Sequence, residues 1–299
     1  MNYVVKTALD QKFILGEGPV WDEKTQKLFY IDSLGNAAGV FDPETGENRL
    51  YAAGQNVGTL VLTERSDTVI LGLEDGLYSL NLSTGELVFK ADPEGKQGNR
   101  LNDGKADSRG RIWIGSMCTA DNGVEGYDTP CRCGLYKVDT DFSCSAADRE
   151  IRLGNGIAWT QDDKTMYFVD SPTRSVFKYD FDAETGTASN KQICINIPES
   201  FGVCDGMDID IDGNLWIAHW TGWCVGKWNP ATGELLGKIE LPVSRVSSCA
   251  FGGPNFDKLY ITTANAGADN DDIKQPDAGK IFVAENLGTR GLPFNRFKG

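Results

Sequence analysis

The chain has 299 residues, of which 40% are hydrophobic and 10% aromatic, and it carries a formal net charge of −14. Phosphate backbones and anionic membranes attract basic surfaces, so this acidic balance argues against nucleic acid or a membrane as partner. No stretch reaches the roughly 18 apolar residues of a membrane helix, and Met1–Lys6 lacks the features of a signal peptide, so we expect a cytoplasmic protein.

The cysteines support the same expectation. A reducing cytoplasm favours free thiols over disulfides, and all eight cysteines are therefore predicted to be free. Cys131-Arg-Cys133 does not have the spacing of a zinc knuckle, and the chain has a single histidine, so a cysteine-based zinc site is disfavoured.

One unit, a turn followed by a short apolar strand, recurs along the chain. In order, its six copies are residues 23–32, 64–72, 107–115, 161–170, 210–218 and 255–262. Each copy is followed by a second aromatic strand, and three continue through a Thr-Gly turn into a closing strand. Four short strands in about 50 residues are typical of a propeller blade.

The repeats therefore predict an all-β fold, a six-bladed β-propeller formed as a single domain by residues 1–299. No segment has a long helical period, so little helix is expected. A spare N-terminal strand, Tyr3–Lys6, is predicted to close the last blade beside Gly279–Val283.

A set of paired residues precedes the first strand of each blade. The pairs are Glu17-Gly18, Val57-Gly58, Asp103-Gly104, Asn155-Gly156, Asp205-Gly206 and Ser248-Cys249. The innermost strand of a blade lines the central channel, so the first members should crowd around the axis. Asp-Gly and Asn-Gly are ordinary turn pairs when taken singly. At one shared register, however, their oxygens match a hard divalent cation, which would offset buried carboxylates.

The second strands should end at the same face of the propeller. His219, the single histidine, is expected at this rim, either with a functional role or as a hydrogen-bonded channel residue. Trp113 and Trp216 are interpreted as core residues. Asp107 and Asp210 are interpreted as turn residues between strands.

Several motifs together resemble the gluconolactonase/regucalcin (senescence marker protein) family. In order, over essentially the whole chain, they are GEGPVW at 16–21, RLNDGKAD at 100–107, GSM at 115–117, NGIAW at 155–159, DGM at 205–207 and CAFGG at 249–253. The resemblance implies a six-bladed propeller with a divalent cation on its axis and lactonase activity on sugar lactones.

The resemblance also implies roles for individual residues. The implied metal ligands are Glu17, Asn155 and Asp205, and Asp205 is also the implied general base. Ca²⁺ is the favoured cation, with Mg²⁺, Mn²⁺ and Zn²⁺ as alternatives. The substrate side of the pocket would be formed by Arg100, Asn102, Met117 and Asp121. Asn102 is expected to supply the fourth oxygen, with Asp103 turned away to brace the turn.

One departure leaves the choice of substrate open. Some relatives carry an acidic pair after the methionine equivalent to Met117, whereas this chain continues Cys118-Thr-Ala-Asp121. The contact with substrate is then either absent or supplied differently by Asp121.

The expected partner is a small-molecule sugar lactone, and the expected state is a monomer or a small homo-oligomer. Three functions are considered. The first is metal-dependent opening of sugar lactones, in which Asp205 acts through its non-ligating oxygen or a metal-held hydroxide attacks instead. The second is hydrolysis of another ester, such as an aryl ester or an organophosphate. The third is a non-catalytic calcium-binding propeller.

Overall fold

The computed structural model describes residues 2–95, 98–119, 133–267 and 274–299. These residues form six antiparallel four-stranded sheets arranged as the blades of a β-propeller, as predicted. Helical structure in the described ranges is limited to the two 3-10 turns Ser171–Thr173 and Glu199–Phe201.

Each blade is a meander whose first strand is innermost. After β1 (Val4–Leu9), blade 1 contains β2 (Gly16–Asp22), β3 (Lys27–Asp32), β4 (Ala37–Phe41) and β5 (Asn48–Ala52); blade 2 contains β6 (Val57–Leu62), β7 (Thr68–Leu73), β8 (Gly76–Asn81) and β9 (Leu87–Ala91); and blade 3 contains β10 (Asn99–Ala106), β11 (Ile112–Cys118), β12 (Cys133–Val138) and β13 (Cys144–Ile151).

The second half of the chain repeats this order. Blade 4 contains β14 (Gly154–Trp159), β15 (Thr165–Asp170), β16 (Ser175–Asp182) and β17 (Thr187–Asn196); blade 5 contains β18 (Val203–Ile209), β19 (Leu215–Trp220), β20 (Cys224–Asn229) and β21 (Glu234–Glu240); and blade 6 contains β22 (Val246–Gly252), β23 (Lys258–Thr263) and β24 (Ile281–Glu285).

The fourth strand of blade 6 comes from the N-terminus. β1 lies antiparallel to β24, with Val4 opposite Glu285 and Leu9 opposite Ile281. Lys6 Nζ lies 2.7 Å from Glu285 Oε2 across this pair. The first and last strands of the chain thus form one sheet and close the ring.

The hydrophobic core lies between adjacent blades, where their sheet faces pack against each other. Trp113 and Trp216 are completely buried in these layers, in agreement with their interpretation as core residues. The six innermost strands contact one another in cyclic order around the axis. β6 and β14 are buried along their whole length, so the wall of the channel is densely packed.

Every innermost strand carries a bulge near its start. In all six blades the innermost strand has one more residue than the second strand over the same stretch of the ladder. In blade 4, for example, Gly154 pairs with Asp170 and Ala158 pairs with Tyr167, so a separation of four residues lies opposite a separation of three. A bulge inserts one unpaired residue, bends the strand and redirects side chains, and bulges are common beside active sites. The fold thus repeats one irregularity six times around the channel.

Candidate functional site

The flanking cross-strand pairs define which residues are equivalent at the bulges. The equivalent positions are Glu17, Gly58, Asn102, Asn155, Asp205 and Ser247. The register predicted for blades 1, 4 and 5 is therefore correct. The predicted Val57, Asp103 and Ser248 are each one residue away from the true position. We refer to Glu17, Asn102, Asn155 and Asp205 as the oxygen ring.

Hydrogen bonds connect the two amides of the oxygen ring. Asn102 Nδ2 donates to Asn155 Oδ1 at 3.1 Å and to the carbonyl of Gly154 at 2.9 Å. Asn155 Nδ2 donates to Ser171 Oγ at 2.8 Å. Because the amide nitrogen of Asn102 can only donate, its contact fixes the Asn155 oxygen on the ring side, and Ser171 accepts from the Asn155 nitrogen on the other side. Ser171 was not among the site residues predicted from the sequence.

Three carboxylates share this end of the channel. Burial and then the charge of Asp103 raise the pKa of Glu17 to about 8, although the Gly18 N–H and Arg100 oppose the rise. Burial, followed by the charges of Glu17 and Asp103, raises the pKa of Asp205 well above its ordinary value. Within the described ranges none of the three forms an ion pair. These carboxyl groups therefore have no direct cationic partner and require either a proton or a cation.

Asp103 has two effects at this site. Its Oδ1 accepts the N–H of Gly104 at 2.8 Å, which agrees with the expectation that it braces the turn. The side chain is nevertheless buried, and its charge acts on both Glu17 and Asp205. Asp103 therefore belongs to the electrostatics of the site, although it lies outside the oxygen ring.

The donor chemistry fits a hard divalent cation. Carboxylate and amide oxygens are the ligands that such ions prefer, and buried carboxylates without a partner need a cation or a proton. No group of three or more His, Cys, Asp or Glu side chains in the described part of the chain is placed to hold a metal ion. The oxygen ring has two such residues, Glu17 and Asp205, and its other oxygens come from amides.

Arg100 lies beside the oxygen ring. Its Nη1 donates to the carbonyl of Leu101 at 2.9 Å and to Asn102 Oδ1 at 3.1 Å. Burial lowers the pKa of Arg100 to about 10, so the guanidinium stays charged at neutral pH. Its remaining N–H groups make no hydrogen bond to residues that the structure describes, and they are available to a ligand.

Met117 is the other predicted substrate contact that the structure describes. It lies directly opposite Arg100 across β10 and β11 and is partly exposed. Asp121 lies outside the described residues.

The glycines after the ring residues allow neighbouring strands to approach. A Cβ on Gly156 would lie 2.8 Å from the carbonyl oxygen of Asp205 and 2.7 Å from the amide nitrogen of Met207. A side chain there would separate β14 from β18. Glycine thus brings Asn155 and Asp205, on adjacent blades, toward each other.

The aspartates that end two second strands brace the backbone. Asp32 accepts the N–H groups of Ile14 and Leu15 at 3.1 and 2.9 Å. Asp170 accepts the N–H of Leu153 at 3.1 Å. Both hold the segment that leads into the innermost strand of their own blade, so their role at the rim is structural.

His219 is a core residue. It is completely buried, and its Nε2 accepts a hydrogen bond of 3.2 Å from Trp228 Nε1. Burial lowers its pKa to about 3, so the imidazole is neutral. Of the two alternatives for His219, the structure supports the hydrogen-bonded residue without a functional role.

The prediction that all cysteines are free is wrong for Cys118, which is disulfide-bonded. The other described cysteines, Cys133, Cys144, Cys194, Cys204, Cys224 and Cys249, are free thiols.

Among the described helical segments, none has the length and apolar character needed to cross a membrane.

Comparison with known proteins gives similarity over nearly the whole chain. Residues 15–265 match the family model described as SMP-30/Gluconolactonase/LRE-like region. The chain is 32% identical to the Bacillus subtilis (strain 168) protein named "Putative sugar lactone lactonase YvrE", covering 95% of this chain and 96% of that one. It is also 32% identical to regucalcin of Gallus gallus, covering 96% of each.

Solved structures show the same fold. A luciferin-regenerating enzyme superposes with a TM-score of 0.93 at 31% identity, covering 100% of both chains. A regucalcin from Agrobacterium tumefaciens strain C58 superposes with a TM-score of 0.91 at 24% identity, covering 99% of this chain and 98% of that one.

Proposed function

Because the chain belongs to the SMP-30/gluconolactonase/LRE-like family, we propose that it is a metal-dependent hydrolase that opens sugar lactones to sugar acids. The observation that carries the proposal is the group of three carboxylates, the partly buried Glu17 and the buried Asp103 and Asp205, none of which forms an ion pair in the described ranges, beside a charged Arg100. Relatives in this family have different names, among them a sugar lactone lactonase and regucalcins, so membership alone does not fix the substrate class.

The metal ligands in this proposal are Glu17, Asn155 and Asp205. Ca²⁺ is the favoured ion, and Mg²⁺, Mn²⁺ and Zn²⁺ are the alternatives. When bound, such an ion supplies a Lewis acid that polarises the lactone carbonyl and stabilises the developing oxyanion. Asn102, which donates to the Asn155 oxygen, and Ser171, which accepts from the Asn155 nitrogen, hold this amide in place.

Residues of the chain provide the proton transfer and the orientation of the substrate. Asp205 accepts the proton of the attacking water through its carboxylate oxygen that does not bind the metal. Arg100 donates its free N–H groups to sugar hydroxyls, and Asn102 lies next to it at 3.1 Å. Met117 provides an apolar surface opposite Arg100.

Arg100 also distinguishes this function from a purely calcium-binding propeller. Burying a guanidinium is unfavourable unless its donors are used. Arg100 is 7% exposed and uses Nη1 internally, while its other donors make no hydrogen bond in the described ranges. Such a group suits a polar ligand at the ring.

The proposal is tested with metal-stripped protein. Ca²⁺, Mg²⁺, Mn²⁺ and Zn²⁺ are added back singly, and hydrolysis is measured on five- and six-membered aldonolactones, an aryl ester and an organophosphate. We expect metal-dependent turnover of aldonolactones above that of the other esters. Faster turnover of the aryl ester or organophosphate would favour that alternative, and metal binding without turnover would favour a calcium-binding protein.

An Arg100→Ala variant tests the substrate side separately. It should raise KM for aldonolactones while retaining the affinity for the metal, and Arg100→Lys should restore part of the loss. If Arg100→Ala lost the metal instead, the assignments of the substrate wall and the metal ligands would be exchanged.

A further inference from the structure

Two charged side chains lie one layer below the oxygen ring. Each of the six innermost strands has an equivalent residue three positions after its bulge residue. These residues are Val20, Val61, Lys105, Ala158, Asp208 and Ala250. Four of these six are small or branched apolar residues. Only blades 3 and 5, which carry Asn102 and Asp205, have a charge at this level.

Lys105 connects these two blades across the channel. Its Nζ donates to the carbonyl of Met207 at 2.8 Å and lies 3.6 Å from Asp208 Oδ1. The side chain starts on β10 and ends on β18, so it passes β14 of blade 4, where the equivalent residue is the small Ala158. A longer side chain at residue 158 would compete for this space.

Asp208 extends the connection to blade 6. Its Oδ2 accepts the N–H of Phe251 at 2.8 Å, and its Oδ1 accepts the N–H of Ile209 at 2.9 Å. Lys105 and Asp208 therefore link β10, β18 and β22. Because Met207 is two residues from Asp205, the link fixes the segment that carries Asp205 relative to the segment that carries Asn102.

The pair also closes the channel below the ring. Lys105 and Asp208 line a cavity of about 360 Å³ at the other end of the channel, which is also lined by Leu292–Asn295. The Phe294 ring lies 5.2 Å from Lys105 Nζ. The side chain of Lys105 is 14% exposed, so its ammonium lies largely out of solvent between the ring and this cavity.

We propose that Lys105 is a positioning residue for the oxygen ring: by binding Met207 and Asp208 across the channel, it sets the spacing between Asp205 and the amides of blades 3 and 4. The inference rests on the proposed function to the extent that the ring binds a divalent cation. It does not require that the substrate be a lactone.

The test removes the link without leaving Asp208 charged and unpaired, which would by itself be costly. In Lys105→Met/Asp208→Asn, the asparagine keeps an oxygen for the Phe251 N–H. Ca²⁺ affinity is measured by titration calorimetry on the folded protein, with the melting temperature measured in parallel. We expect the Kd for Ca²⁺ to rise at least tenfold. Lys105→Arg, which can donate to the same two acceptors, should keep the Kd within about threefold of wild type.

Blade 5 supplies a matched control. Lys227 Nζ lies 2.9 Å from Asp210 Oδ2, a buried ion pair at the opposite end of β18 from Asp205. Lys227→Met/Asp210→Asn should lower the melting temperature and leave the Kd for Ca²⁺ unchanged. If this control does not fold, Asp107→Asn/Arg111→Met serves, because it removes the corresponding buried ion pair at the same end of blade 3.

The outcomes separate the two proposals. An unchanged Kd in Lys105→Met/Asp208→Asn, with a lowered melting temperature, would overturn the positioning role and leave the proposed function intact. Wild-type protein that binds Ca²⁺ but turns over no lactone would remove the proposed function, while the ratio of Kd values still decides the role of Lys105. Wild-type protein that binds none of the four cations would overturn both.

Discussion

The same three innermost strands carry buried or partly buried carboxylates at both ends, and these carboxylates form ion pairs at only one of the two ends. At the ring end are Glu17, Asp103 and Asp205, on β2, β10 and β18. At the far end are Asp22, Asp107 and Asp210, which end these strands or follow them directly. Acidic residues of the same three blades can therefore be compared at the two ends of the channel.

At the far end each carboxylate has an internal cation. Asp107 Oδ2 lies 2.8 Å from Arg111 Nε, and Asp210 Oδ2 lies 2.9 Å from Lys227 Nζ. Asp22 pairs with Arg296 of the C-terminal segment. Although burial raises the pKa of Asp22, hydrogen bonds from Thr25 and Arg296 keep it below its ordinary value.

At the ring end none of the three carboxylates forms an ion pair within the described residues. Arg100 and Lys105 lower the pKa values of Glu17 and Asp103 only through longer-range attraction, and the pKa of Glu17 still rises to about 8. A buried carboxylate is tolerated when it is paired, and a lone one needs a proton or a cation from outside. The far end shows that this fold can supply Arg or Lys partners to its buried aspartates. Their lack at the ring end therefore favours an external cation over a fault of packing.

The largest expected effect comes from removing a ring carboxylate. Asp205→Ala should lower kcat/KM for aldonolactones by at least about 10²-fold, because a general base alone contributes 10² to 10⁴ and a metal ligand is lost with it. The assay uses saturating Ca²⁺, and circular dichroism checks the fold. The exposed Asp212 of the same blade provides the control, Asp212→Ala, and undiminished activity in Asp205→Ala would contradict the assigned role.

The far end should respond in stability rather than in activity. Arg111→Met leaves Asp107 buried without its cation, which should lower the free energy of unfolding by about 3–5 kcal/mol. Chemical denaturation measures the loss, and the Kd for Ca²⁺ should be unchanged. Asp107→Asn/Arg111→Met should lose less than the single variant. A changed Kd in folded Arg111→Met would show that the two ends are not independent.

A smaller effect of opposite sign is expected at the ring end. In metal-free protein, Asp103→Asn should raise the free energy of unfolding by on the order of 1 kcal/mol, since a neutral amide replaces a buried carboxylate that raises the pKa of both Glu17 and Asp205. The asparagine oxygen can still accept the Gly104 N–H. Denaturation in the presence of a chelator measures the change. A loss of stability would mean that the hydrogen bond from Gly104 to the Asp103 carboxylate stabilises the fold by more than the burial of that carboxylate destabilises it.

The propeller and most of the ring could be predicted from the sequence because each blade repeats the same turn and strand. The error in blade 3 has a physical cause. Asp103-Gly104 looks like Asn155-Gly156, but the two glycines meet different neighbours. A Cβ on Gly104 would lie 2.6 Å from the carbonyl of Trp113 in its own blade, whereas one on Gly156 would meet Asp205 of the next blade. A dipeptide does not show which side of a bulge it occupies.

Only some of the partners of the far-end aspartates could have been predicted from the sequence. Asp107 and Asp210 were interpreted as turn residues, yet each accepts an indole N–H from the tryptophan six residues later, Trp113 at 3.0 Å and Trp216 at 3.1 Å. That repeated spacing is a local signal that could have been used. The pairing of Asp22 with Arg296 joins opposite ends of the chain, and no local pattern predicts it.

The smallest effect concerns His219. It lies opposite Cys204, the neighbour of Asp205, but its side chain is completely buried in the core. Its pKa of about 3 in the folded protein is below the ordinary value near 6.5. The unfolded chain therefore binds the proton first, and the stability from neutral His219 is complete above pH 6.5 and is lost as the pH falls toward 3. His219→Gln keeps an acceptor for Trp228 and does not titrate. Between pH 7 and pH 5.5, wild type should lose about 1 kcal/mol more unfolding free energy than this variant, with kcat/KM at pH 7 within about twofold. Equal losses, or a large fall in kcat/KM, would place His219 in contact with solvent or with the ring.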